Sequence, residues 1–210
     1  MGIARPTPLP APLTSPASWS LSNLTGRLVE ISAGPDAAHL TAAFSLVLDA
    51  QLAGDRAAWV TLEDSTFFPP DAADGGVDLE ALPVVRVRDA RMAGRAADHL
   101  ARSGGFGLIA IDLSDQRPTT NHQQSLPVPL LTRLLGLARQ HDIALLLLTR
   151  KPQDSPSVHS LVSLRVEARS RVGDGGPGAA VELCIRAIKD KRRGPGWTHV
   201  ESCRGPAGLR

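Results

Sequence analysis

The chain lacks a charge of either sign in excess. Its 23 Lys and Arg stand against 21 Asp and Glu, a formal net charge of +2. No strong global field therefore argues for or against a nucleic-acid partner. It is short of cysteine: Cys184 and Cys203 lie far apart and not in a metal-ligand spacing. A reducing cytoplasm is the default expectation for such a chain. No apolar run reaches membrane-spanning length. The N-terminus also lacks the charged-then-apolar order of a signal peptide. What is present is material for a core. A length of 210 residues, 42% of them hydrophobic, favours one domain or at most two.

The most organised stretch runs from Gly26 to Glu63. A short apolar run, Leu28-Val29-Glu30-Ile31, turns through Ser32-Ala33-Gly34-Pro35. A helical pattern follows, with apolar residues at Leu40, Phe44, Val47, Leu48 and Leu52. After Gly54-Asp55 comes a second run, Ala57-Ala58-Trp59-Val60. Strand, tight turn, helix, strand is the opening unit of a nucleotide-binding α/β domain. The turn stands where a phosphate-binding loop would be.

A working loop of that kind needs G-x-x-x-x-G-K-[ST]. From Gly34 this chain reads Pro35-Asp36-Ala37-Ala38, then His39, Leu40 and Thr41. The second glycine is missing and the phosphate-binding lysine is Leu40, which offers neither charge nor hydrogen bond. Thr41 alone keeps its type. The degenerate loop, Gly34, His39, Leu40 and Thr41, is expected not to work in ordinary ATP hydrolysis. The same residues also read as a plain strand-to-helix loop with Asp36 near a helix N-cap.

In chain order, residues 1–18 are Pro-rich (PTPLPAPLTSPA), which favours an extended arm over a helix. Residues 19–210 are expected to form the folded core. Asp64 to Leu82 reads as a turn-rich connection, Val84 to Val87 as a short strand and Arg88 to Arg102 as a helix. His99 is expected on an exposed or half-buried face of that helix. Phe106 to Ile111 and Ile143 to Leu148 are continuously apolar, as suits strands buried on both faces of a parallel sheet. Between them lie a polar loop, Ser114 to Ser125, and a helix from Leu126 to Gln140. A strand over Leu161 to Ala168, a Gly-rich turn and a strand over Val181 to Ile188 read as a hairpin. It ends in the basic run Lys189-Asp190-Lys191-Arg192-Arg193, and a last strand follows Trp197.

Taken together, these segments resemble the RecA core. Gly26-Arg27-Leu28-Val29-Glu30-Ile31 is similar to the strand before RecA's phosphate loop, and Gly34-Pro35-Asp36 to the start of that loop. Ala58-Trp59-Val60-Thr61-Leu62-Glu63 resembles the strand that ends in the catalytic glutamate, which puts Glu63 on that acid. Gly76-Val77-Asp78-Leu79-Glu80-Ala81-Leu82 resembles the "GvDlenL" turn. Arg102-Ser103-Gly104 precedes Leu108-Ile109-Ala110-Ile111-Asp112, which resembles the Walker B strand. Ile188-Lys189-Asp190-Lys191 with Gly194-Pro195 resembles the K-N-K strand end. The colinear likeness runs from about Trp19 to Gly208, and within the superfamily the chain looks most like ImuA, the RecA-related accessory family of bacterial mutagenesis cassettes.

The resemblance implies an α/β, RecA-like core: a mostly parallel central sheet flanked by helices, with a late antiparallel hairpin. RecA's N-terminal polymerisation segment and C-terminal domain are expected to be absent. Glu63 and Asp112 are expected to be vestigial, because an acid pair without the phosphate cation makes repulsion rather than a site. Thr149-Arg150-Lys151 stands where RecA senses the γ-phosphate and matches it at neither sensing position. The second DNA-binding loop looks cut down to Lys151–Ser160. Lys189, Lys191, Arg192 and Arg193 would face a partner or phosphates, or form a solvated strand end. The expected function is a non-catalytic adaptor in the SOS response, DNA-damage-induced mutagenesis and translesion synthesis. Its expected partners are an ImuB-type Y-family polymerase-like protein and RecA, with weak DNA contact at most and no membrane. No metal or cofactor is expected, and the location is cytoplasmic, at the nucleoid when engaged. The alternatives are a weak DNA-stimulated ATPase using Glu63, Asp112 and Thr41, or a DNA-binding module using the basic cluster. Salt dependence would reveal the latter.

Overall fold

A computed structural model describes residues 19–33, 38–65, 67–114, 126–152, 154–172 and 181–203. The Pro-rich arm, Gly34 to Ala37, most of the polar loop after Ser114, the Gly-rich turn and the tail beyond Cys203 lie outside the described residues.

In chain order the elements are α1 (Leu21–Leu24), β1 (Arg27–Ala33), α2 (His39–Leu52), β2 (Ala57–Leu62), α3 (Pro69–Asp74), β3 (Val84–Val87) and α4 (Ala90–Arg102). They continue as β4 (Leu108–Asp112), α5 (Val128–Gln140), β5 (Ala144–Arg150), β6 (Leu164–Val172), β7 (Val181–Asp190) and β8 (Thr198–Cys203). The strands form one sheet in the order β3-β2-β4-β5-β1-β6-β7-β8. From β3 to β6 all neighbours are parallel; β7 and β8 are added antiparallel. This is the expected α/β sheet with a late hairpin.

The apolar runs form strands because helices cover both sheet faces, so residues pointing either way are buried. Val29, Ile31, Trp59, Ala110, Leu146 and Leu148 pack on one side with α1 and α2. Leu28, Val60, Ile109, Ile111, Leu145 and Leu147 pack on the other with α4 and α5. Helix α4 starts at Ala90 rather than Arg88, because Asp89 caps it by accepting from the Met92 N–H at 2.8 Å. Its inner face is small, and close packing depends on Gly94. A Cβ there would come within 2.4 Å of a Leu130 methyl and 2.7 Å of a Leu126 methyl. His99 is exposed on this helix.

Two further sequence expectations need correction. Asp64 to Leu82 holds the short helix α3, with Pro69 and Pro70 in the first turn, where a missing N–H is harmless. The strand expected from Leu161 begins at Leu164, after a Lys151-to-Ser163 segment that crosses from β5 to β6. Helix α2 falls where its pattern was read, and its two sides differ. Ala42, Ala43, Leu46, Val47 and Ala50 are buried against the sheet, while Leu40, Phe44 and Leu48 are only partly buried and Leu52 is 79% exposed. Three alanines on the buried face bring the helix axis close to the sheet, with Leu46 and Val47 filling the space beside them.

Candidate functional site

Parallel sheets gather chemistry at the carboxyl ends of their strands, where the connections diverge. Here β1 is flanked by β5 and β6, and its end leads into α2. Around it the structure builds a buried polar network. Glu30 is fully buried in β1. Its carboxylate accepts from Thr149 Oγ1 at 3.0 Å and from the Val158 N–H at 3.0 Å, and pairs with Lys151 Nζ at 2.5 Å. Burial pushes the Lys151 amine below the ordinary lysine range, although Glu30 pulls it back. One strand over, buried Arg165 donates through Nε to Ser32 Oγ at 2.7 Å and through Nη2 to the Pro152 carbonyl at 2.8 Å; Nη1 donates to the Ser155 carbonyl. Lys151 Nζ also donates to the Pro156 carbonyl. The segment linking β5 to β6 is thus fastened to the sheet by charged side chains reaching its backbone.

A second buried pair lies at the other end of these strands. Arg27 Nη2 meets Asp190 Oδ1 at 2.7 Å, with side chains 4% and 1% exposed. Asp190 also accepts from Trp197 Nε1 and from the Arg192 N–H. Burial alone would raise the Asp190 carboxyl, but hydrogen bonds from Arg192, Trp197 and Arg27 outweigh it and hold it below the ordinary aspartate range.

The residues singled out in the sequence fall in several environments. Gly34 lies outside the described residues. His39, Leu40 and Thr41 form the first turn of α2, all half-buried, and Leu40 packs against the apolar cluster on that face. Glu63 is 58% exposed and 4.0 Å from Arg88, which is 87% exposed, too open a pair to contribute much. Asp112 is buried, and its Oδ1 accepts from the Ser114 N–H at 3.0 Å and Oγ at 2.6 Å. Asp112 is level with Thr61 in the register, two residues before Glu63. The two acids share the ends of adjacent strands but differ sharply in burial.

The basic cluster is divided. Lys189 is half-buried, and burial followed by repulsion from Lys191 lowers its amine. Lys191 donates to the Ser160 carbonyl at 2.6 Å. The Arg193 guanidinium reaches Asn23 Oδ1 at 3.5 Å. Arg192 is exposed, with its backbone N–H on Asp190. Lys191 and Arg193 therefore also tie the strand end to its neighbours. Among the described residues no group of His, Cys, Asp and Glu could hold a metal ion, and no helix is long and apolar enough to cross a membrane.

Sequence reasoning passed over Glu30, Arg165, Asp190 and Arg27. A signal was present: a lone acid inside an apolar strand must find a partner, and Leu164-Arg165-Val166-Glu167-Ala168 alternates strictly. Which cation meets which acid depends on strand order, which the alternation does not carry.

No protein-family model matches the chain. Over 87 residues it is 39% identical to Protein RecA of Kineococcus radiotolerans and 38% identical to Protein RecA of Nocardia farcinica. Each match takes in 41% of this chain, which spans about a quarter (25%) of the length of these curated relatives. The fold is similar to that of the RadB recombinase crystal structure, with a TM-score of 0.63, covering 84% of this chain and 87% of that one at 15% identity. At that identity the likeness is one of fold. The architecture is RecA-like, and the sequence has a weak similarity to RecA.

Proposed function

We propose that this chain is a RecA-like adaptor without ATPase activity of its own, acting in DNA-damage-induced mutagenesis and translesion synthesis. The observation that carries the reading is Leu40. The first turn of the helix after β1 is where a nucleotide-binding unit needs a cation for phosphates. This turn offers His39, Leu40 and Thr41, and Leu40 packs against the core. The acids at the neighbouring strand ends support the same reading: Glu63 faces solvent and Asp112 is engaged by Ser114.

As partners we propose an ImuB-type polymerase-like protein and RecA. Strand β3 closes one end of the described sheet and pairs with β2 alone. Val84, at its start, is 36% exposed, and Met92 in the helix that follows is 43% exposed. An open edge beside apolar side chains suits addition of a partner strand. Basic side chains at the end of β7 would add weak contact with DNA phosphates.

Calorimetric titration of the full chain with MgATP, with an ImuB-type protein and with a RecA N-terminal peptide tests the reading. The expected result is partner binding with no nucleotide binding tighter than about 1 mM. Leu40→Lys, which restores the cation type, is expected to improve nucleotide binding without altering partner binding. Micromolar nucleotide binding by the unaltered chain, with no partner bound, would replace the adaptor with a weak DNA-stimulated ATPase.

A further inference from the structure

The outward side of α2 carries a second apolar face. Leu40, Phe44, Leu48 and Leu52 recur every four residues, so they form one stripe along the helix. At 1.5 Å per residue the stripe is about 18 Å long. A helix that is apolar on two faces normally has both covered. The inner face meets the sheet, but the outer face lines a groove of about 640 Å³ between α2, α3 and the end of β8. Leu52 is 79% and Phe68, across the groove, 57% exposed. Phe44 is braced from behind, stacked on Trp59 with ring centroids 4.6 Å apart. Leu40, Phe44 and Leu48 are partly buried against the core and form the floor of the groove, while Leu52 and Phe68 stand open at its sides.

Among the described residues, the carboxylates lining the groove have no basic counterpart. Asp49, Asp71, Asp74 and Glu201 line it, while no Lys or Arg is among the described lining residues. Asp49 is partly engaged, accepting from the Leu21 N–H at 2.7 Å, and Glu201 lies 3.3 Å from the His199 ring. Asp71 and Asp74 are exposed on α3. This is the reverse of a phosphate site. It also disfavours a symmetric pairing of two copies through this face, which would set carboxylates against carboxylates.

We propose that this groove is a docking site for an apolar, basic-flanked helix of a partner protein. Three turns of such a helix span the stripe and place apolar residues against Phe44, Leu48, Leu52 and Phe68. Lys or Arg on its flanks meets the carboxylates of α3 and β8. This is the helix-in-groove mode of recognition, with the acidic rim selecting the partner's charge. The site differs from the β3 edge in its residues: none of Val84–Val87 is among its described lining residues. Substitutions at Leu52 and Asp71 therefore test this groove without altering a residue of β3.

The test uses the full chain with a photo-crosslinking benzoyl-phenylalanine in place of Phe68. The probes are two designed helices of about five turns, with the same leucine face and either Lys or Glu at the remaining positions. The Lys-flanked helix is expected to crosslink at position 68 and to bind at least ~10-fold more tightly than the Glu-flanked one. Leu52→Asp is expected to weaken Lys-flanked binding by a similar factor with an unchanged melting curve. Asp71→Lys with Asp74→Lys is expected to reverse the charge preference. Equal binding of the two helices, or binding of neither, would overturn the proposal. So would crosslinking of position 68, in the free chain, to Met1–Ser18 or to a second copy.

Discussion

Beside β6, charge is buried and joined. Glu30 meets Lys151 and Thr149, Arg165 holds the backbone of the β5-to-β6 segment, and Arg27 meets Asp190 at 2.7 Å. Along α2 the materials are inverted: apolar side chains face outward and the carboxylates stand at the rim. The first region spends its polar groups internally, so it stabilises the fold and leaves little for a ligand. The second leaves apolar surface unmatched among the described residues, which is the signature of recognition rather than stability. Proteins of this architecture are expected to carry function at the strand ends. Here one side of those ends has become a structural clamp.

The sharpest way to break this contrast is to remove the acid at the centre of the clamp. Glu30→Ala takes the buried carboxylate away from half-buried Lys151, from Thr149 and from the Val158 N–H, and is expected to cost about 3 kcal/mol in urea unfolding. A loss below about 1 kcal/mol would mean that the network is ornamental. Phe44 ties the groove to the apolar core, since it stacks on Trp59 and forms part of the groove. Phe44→Ala is expected to cost about 2–3 kcal/mol, less than for a fully enclosed ring, by the same measurement.

The Arg27–Asp190 pair makes a pH-dependent prediction. Folded Asp190 is held below the ordinary value of 3.8. Its stabilisation is therefore complete above that pH and is lost as pH falls through the lower folded value. Below about pH 4 the unaltered chain should lose stability with falling pH more steeply than Asp190→Asn, a difference readable from melting curves. Parallel acid limbs would show that the pair is not protonation-linked to folding. The smallest effect belongs to the groove: Leu52→Asp is expected to change stability by no more than about 0.5 kcal/mol, because Leu52 contributes little buried area. A large loss there would make the outer stripe part of the core and end the contrast.

Much of the fold was legible in the sequence. Phe106 to Ile111 and Ile143 to Leu148 are too uniformly apolar for a half-exposed strand, and β4 and β5 fall there with shifts of a residue or two. The hairpin was legible from two alternating runs around a Gly-rich turn. Helix α2 was found as an element but not in orientation. Its pattern was read through Leu40, Phe44, Val47, Leu48 and Leu52, of which only Val47 is fully buried, while the sheet takes Ala42, Ala43, Leu46, Val47 and Ala50. The candidate sites were less legible. Lys191 and Arg193 read as surface charge, yet each also reaches a neighbouring segment. Contacts between residues more than a hundred positions apart, such as Glu30 with Thr149, leave no local trace.

The sequence by itself determined most element types, the mostly parallel sheet and the presence of an uncharged residue at Leu40, because periodicity and residue chemistry are local properties. Only the tertiary structure decided that Glu30 and Arg165 would clamp a crossing segment, that Asp190 would be buried against Arg27, and that the outer stripe of α2 would face an acid-rimmed groove. Each of those outcomes depends on which strands become neighbours and which helix face lies against them. Side chains are matched to partners only when the packed sheet fixes the distances between them.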